Sequence, residues 1–106
     1  MVKFMVVLYK RPDLNVGFEK YFLDVHGPMA LKLPGLQRCV YNVVANDPRR
    51  KHPGWDAIAE LYFEDWDSME AAWASPEGEA ATKDLEAFAD LSRTTWSVVN
   101  ETILKA

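Results

Sequence analysis

The chain has 106 residues, 16 of them acidic and 12 basic, for a formal charge of −4. That length predicts one domain, and the acidic balance argues against a phosphate-backbone partner, which excludes nucleic acid. The single cysteine, Cys39, allows no internal disulfide and points to the reducing cytoplasm; no apolar run suits an export signal or a membrane span.

Val2 to Tyr9 is β-branched and aromatic with apolar residues on both alternating sets, as a central strand covered on both faces requires. Lys10 to Asn15 is a turn, with Asn15 placed to cap a helix. In that helix Phe18, Tyr21, Phe22, Val25 and Met29 recur at helical spacing and form one apolar stripe, with His26 at its edge. Gly27-Pro28 follows and reads as a stop or bend, the glycine accepting a left-handed cap. His26 is thereby expected at a helix C-terminus, where the helix dipole favours a protonated ring and burial opposes it. Such a histidine is either an acid or base, or a polar residue closing a helix.

Leu36 to Val44 predicts a second strand nearer an edge, with Arg38 and Asn42 on one face and Cys39 and Tyr41 on the other. Ala45 to Gly54 is a Pro-containing loop that carries the basic run Arg49 to His52, read as solvated, with His52 on a flap over one end of the sheet. Trp55 to Phe63 alternates: Trp55, Ala57, Ala59, Leu61 and Phe63 suit a face against helices, while Asp56, Ile58, Glu60 and Tyr62 make the other. That second face is too apolar for open water and too charged for dry core, which suggests a semi-enclosed cavity lined by it.

Glu64 to Ser68 opens a second helix, with Asp67 and Glu70 at capping-box spacing and Met69, Ala72 and Trp73 inward. Ser75-Pro76 restarts it, Ser75 as cap and Pro76 at the first helical position. Ala81, Leu85 and Phe88 supply the buried stripe that follows, and Arg93 to Leu104 is the last strand.

The order strand, helix, strand, strand, helix, strand predicts an α+β, ferredoxin-like βαββαβ domain over residues 1–106, with a four-stranded antiparallel sheet and both helices on one face. The other face stays uncovered. Four tryptophans in so short a chain, and a size too small to enclose a deep pocket alone, predict a homodimer closed through that open sheet face into an α/β barrel.

The chain resembles the EthD family of small dimeric α+β barrel proteins. The likeness rests on Tyr9-Lys10-Arg11-Pro12, on Phe18 with Tyr21 and Phe22, on Val25-His26-Gly27-Pro28, on Leu33-Pro34-Gly35-Leu36, on Asp56 to Phe63, and on Ala74-Ser75-Pro76-Glu77-Gly78. The family is named for a protein associated with a cytochrome P450 system that degrades ethyl tert-butyl ether, and it includes fungal polyketide-tailoring proteins. Related methylmuconolactone isomerases use a histidine matching His26 and a tyrosine where this chain has Cys39, so the resemblance carries the histidine over and not the tyrosine.

Residues and resemblance together make His26 the expected general acid or base. Glu60 and Asp56 are expected to orient it or take a proton, against the alternative of ion pairs with Arg38 or Arg11. Tyr41, Cys39, Arg38, His52 and Tyr62 are the expected substrate contacts, with packing the alternative for Tyr41 and Cys39. The reading is a cofactor-free, metal-free enzyme moving a proton on a small apolar oxygenated molecule such as a lactone or polyketide-like ring. The alternative is an accessory protein that binds a hydrophobic metabolite or a haem without chemistry.

Overall fold

Val2–Leu8 (β1), Leu36–Val43 (β2), Ala57–Phe63 (β3) and Thr95–Val99 (β4) form one antiparallel sheet in the order β2-β3-β1-β4. The structure is a computed structural model describing residues 1–106. As its unbroken apolar run requires, β1 lies inside the sheet, paired with β3 on one side and β4 on the other. β4 is much shorter than the run predicted for it: regular pairing ends at Val99, and the exposed residues after Asn100 leave the ladder.

The register sorts every strand residue onto one of two faces. Val2, Phe4, Val6 and Leu8 stand opposite Phe63, Leu61, Ala59 and Ala57, and this face packs under the helices. The small alanines allow close approach, and Leu8, Phe63, Met69 and Phe88 are the largest side chains lost to solvent. The other face presents Met5, Val7, Ile58, Glu60 and Tyr62, flanked by Arg38, Val40 and Asn42 from β2. No helix covers it, and the arrangement is the ferredoxin-like one.

Between β1 and β2 the chain runs through Phe18–Tyr21 (α1), a π-turn at Phe22–His26 and Gly27–Ala30 (α2). The expected stop at Gly27-Pro28 is corrected: Gly27 has right-handed helical dihedrals (φ −57°, ψ −51°), and the helix widens there and continues. His26 is therefore inside the helix and feels no C-terminal dipole. The buried positions are Phe22, His26 and Ala30, four apart, whereas Val25 turns outward. Asn15 caps nothing, since the helix starts after Gly17 without a side-chain cap.

Trp66–Ala74 (α3) and Pro76–Phe88 (α4) complete the helical layer. Asp65, not Asp67, caps α3, its carboxylate accepting from Ser68 N at 2.8 Å. Ser75 caps α4 as expected, accepting from Gly78 N, with Pro76 in the first turn where its missing N–H costs nothing. Gly78 is demanded by this junction: a Cβ there would overlap the carbonyl oxygen of Ala72 and lie 2.6 Å from that of Trp73. No helix is long and apolar enough to cross a membrane.

Candidate active site

Between the helices and the sheet lies a cavity of about 340 Å³, and twelve of its fifteen lining residues are hydrophobic. Phe4, Ala59 and Leu61 form its floor on the sheet, while Phe22, Trp73 and Leu85 form its helical walls. A single chain therefore forms a partly open pocket of ligand size by itself, contrary to the expectation that a second subunit is needed. The polar lining is His26, Thr82 and Glu70, with no lysine or arginine, so nothing in the wall would neutralise an anionic ligand.

His26 reaches the cavity from the π-turn, its ring 4.8 Å from that of Phe88 and 5.5 Å from that of Phe22. Its Nδ1 is 3.0 Å from Asp84 Oδ2, and both side chains are nearly buried, 10 % and 14 % exposed. The other oxygen of the same carboxylate accepts from Tyr21 Oη at 2.9 Å. Burial lowers the His26 pKa below its ordinary 6.5, and the hydrogen bond and charge of Asp84 act in the opposite direction. With a carboxylate as its partner, Nδ1 carries the proton of the neutral ring, a tautomer assigned from that hydrogen bond. Nε2 is left as a lone pair with no partner in the chain. This is the arrangement of a general base held and oriented by an acid.

The sequence reading overlooked Asp84. It lies three residues after Ala81 and four before Phe88, on the buried stripe of α4, and an acid in an apolar stripe signals a donor waiting inside the fold. Tyr21 was read for its ring, which packs 5.1 Å from Phe88; its hydroxyl is the second donor to Asp84.

The expected orienting acids are elsewhere. Glu60 is on the open sheet face, where its carboxylate meets Lys3 Nζ at 3.2 Å. Asp56 Oδ2 accepts from Lys10 N at 2.8 Å at the end of β3. Neither touches His26 or forms the predicted ion pair with Arg38 or Arg11, because each already has a nearer donor. The cavity itself lies on the other side of the sheet from the one proposed for it.

Of the expected substrate contacts, Cys39 lines the cavity, and burial raises its thiol pKa. Tyr41 is on the same face but stacks on Phe22 at 4.3 Å behind the wall, its hydroxyl buried without a partner. Arg38 and Tyr62 are on the open face, the guanidinium 5.4 Å from the centre of the Tyr62 ring. Tyr62 Oη donates to Glu101 Oε2 at 3.1 Å, which also receives Lys3 Nζ at 2.9 Å. His52 is exposed on its loop, its Nδ1 accepting from Gly54 N, and does not reach the cavity. Trp73 went unassigned as a site residue; it lines the cavity with a buried indole N–H that has no partner in the chain.

Residues 17–92 match the model of the EthD domain. An EthD family protein from Bacillus halodurans C-125 superposes with a TM-score of 0.81 at 27 % identity, over 96 % of this chain and 99 % of that one. An uncharacterized 11.0 kDa protein from the thcB-thcC intergenic region of Rhodococcus erythropolis is 28 % identical over 100 residues, 94 % of this chain and 96 % of the relative. The cofactor-independent oxygenase SnoaB of Streptomyces nogalater shares the fold, with a TM-score of 0.64 and 17 % identity over 98 % of this chain and 97 % of that one.

Proposed function

The chain belongs to the EthD family, and from that premise we propose that it is a cofactor-free enzyme that removes a proton from a small, neutral, apolar oxygenated molecule. The observation that carries the reading is the Asp84–His26 pair at 3.0 Å on the wall of an apolar cavity. Nε2 takes a proton from the carbon next to a carbonyl, the electron pair moves onto the carbonyl oxygen, and Asp84 stabilises the imidazolium that forms. Return of the same proton at another carbon is an isomerisation and leaves atoms and charge balanced. The hydroxyl of Thr82 is the lining donor available to the ligand oxygen. That SnoaB, a protein of the same fold, is a cofactor-independent oxygenase supports a cofactor-free reading.

The second element of the proposal is a homodimer through the open sheet face. Met5, Val7, Val40 and Ile58 are only partly buried there, around the Lys3–Glu60–Glu101 network, and a second copy of the same face would complete their burial. The dimer would then stabilise the sheet, and each chain would keep its own cavity.

The test is exchange of the acidic α-protons of 2-tetralone in deuterated buffer, followed by NMR. The protein is expected to accelerate exchange over buffer, and His26→Gln to lower the rate by about 10²-fold or more, the usual contribution of a positioned base. Equal exchange with and without the protein, or equal rates for the two chains, would overturn the catalytic reading; saturable binding without exchange would favour a carrier.

A further inference from the structure

Tyr21 and His26 are five residues apart, yet their polar atoms reach the two oxygens of one carboxylate, at 2.9 and 3.0 Å. On a regular α-helix residues five apart point about 140° away from each other. They would sit on different faces, and one carboxylate on α4 could not serve both. A turn closed by an i to i+5 hydrogen bond instead brings them back to one face, and here Gly27 N donates to Phe22 O.

Two neighbouring residues account for that turn. Pro28 has no N–H, so the bond to Asp24 O that would continue an α-helix cannot form, and its ring crowds that carbonyl. Gly27 gives the widened turn room, since a Cβ at that position would lie 2.9 Å from Phe22 O, a backbone atom that can move only if the turn does. The His26-Gly27-Pro28 sequence thus reads as one unit: a base, and the two residues that rotate it into register.

We propose that Gly27, Pro28 and Tyr21 are positioning residues for His26: the π-turn that Gly27 and Pro28 impose brings Tyr21 and His26 together on Asp84, and Asp84 in turn holds the imidazole as the Nδ1–H tautomer with Nε2 as the base. Tyr21 fixes the carboxylate by occupying Oδ1, leaving Oδ2 for the histidine. The inference rests on the site proposed above. Its readout uses no ligand, so a missing substrate and a misassigned turn are separate failures.

The chain has two histidines, and His52, exposed on its loop, is the internal reference. Imidazole nitrogen shifts of uniformly labelled protein at neutral pH are expected to show His26 with a protonated Nδ1 and a bare Nε2. In Gly27→Ala the Nδ1–H form is expected to fall from the dominant to the minor population, with the His52 signals unmoved. Pro28 is exposed, so Pro28→Ala is expected to fold and to shift His26 the same way as the Asp24 carbonyl regains a donor. Tyr21→Phe keeps the turn and the tautomer, but the carboxylate, short of one donor, raises the His26 pKa. A folded Gly27→Ala or Pro28→Ala chain with the wild-type His26 shifts would overturn the proposal, as would a wild-type chain whose His26 carries its proton on Nε2.

Discussion

His26 and Glu60 stand on opposite faces of one sheet. The strand β3 that carries Glu60 puts its neighbours Ala59 and Leu61 into the cavity wall beside His26, while Glu60 itself faces Lys3 on the uncovered side. Glu60→Gln is therefore expected to leave the imidazole shifts of His26 and the 2-tetralone exchange rate at wild-type values. A large loss of exchange in a folded Glu60→Gln chain would place the chemistry on the wrong side of the sheet.

Asp84→Asn keeps the shape of the side chain and removes the charge that stabilises an imidazolium. Exchange is expected to fall by about 10²-fold or more, with the amide able to present either a donor or an acceptor to Nδ1. The His26 pKa should also drop, because the groups that raise it are the hydrogen bond and charge of Asp84. An unchanged pKa, read by NMR titration, would show that the pair is not coupled.

Burial of His26 also couples stability to pH. Its folded pKa is below the ordinary 6.5, so beneath 6.5 the unfolded chain takes up a proton that the folded chain does not. Its contribution is complete above the unfolded pKa and is lost as pH falls through the window between 6.5 and the folded value. Urea unfolding across that window should show stability falling with acid, and His26→Gln should flatten the fall. An equally steep fall in both chains would assign it to other groups.

The α3–α4 junction leaves no room at Gly78. Gly78→Ala is expected to cost at least about 2 kcal/mol, because the colliding atoms are backbone carbonyls and cannot rotate away. The measurement is the urea midpoint at constant m-value. A stability within a few tenths of wild type would show that the two helices part readily.

Sedimentation equilibrium addresses the open face. The wild-type chain is expected to be a dimer at micromolar concentration, and Ile58→Asp, which puts a charge among Met5, Val7 and Val40, is expected to be monomeric. The Ile58→Asp monomer should keep the wild-type His26 shifts, since the cavity is on the other face. A wild-type monomer would remove the dimer without touching the cavity.

The strands were legible because alternation is a local property: Ala57, Ala59, Leu61 and Phe63 face the helices as the spacing demanded. Ser75-Pro76 and the Ala81–Leu85–Phe88 stripe were legible for the same reason. His26 could be picked out because it interrupts an apolar stripe. What failed were inferences needing a partner distant in sequence. Glu60 and Asp56 read as unmatched acids in the Trp55 to Phe63 run because their donors, Lys3 Nζ and Lys10 N, come from β1 and the turn after it. Asp84 draws no notice in sequence because its donors, Tyr21 and His26, lie about sixty residues away. The π-turn reads as a stop in the sequence because glycine and proline end helices far more often than they widen them.

The most direct test of the central claim is where a small neutral ketone binds. Titration of 2-tetralone into labelled protein is expected to give saturable shifts at His26, Phe4, Leu61 and Trp73, with Met5, Glu60 and Tyr62 unmoved. Shifts confined to Met5, Glu60 and Tyr62, or no saturable shift at any of the cavity residues, would contradict it.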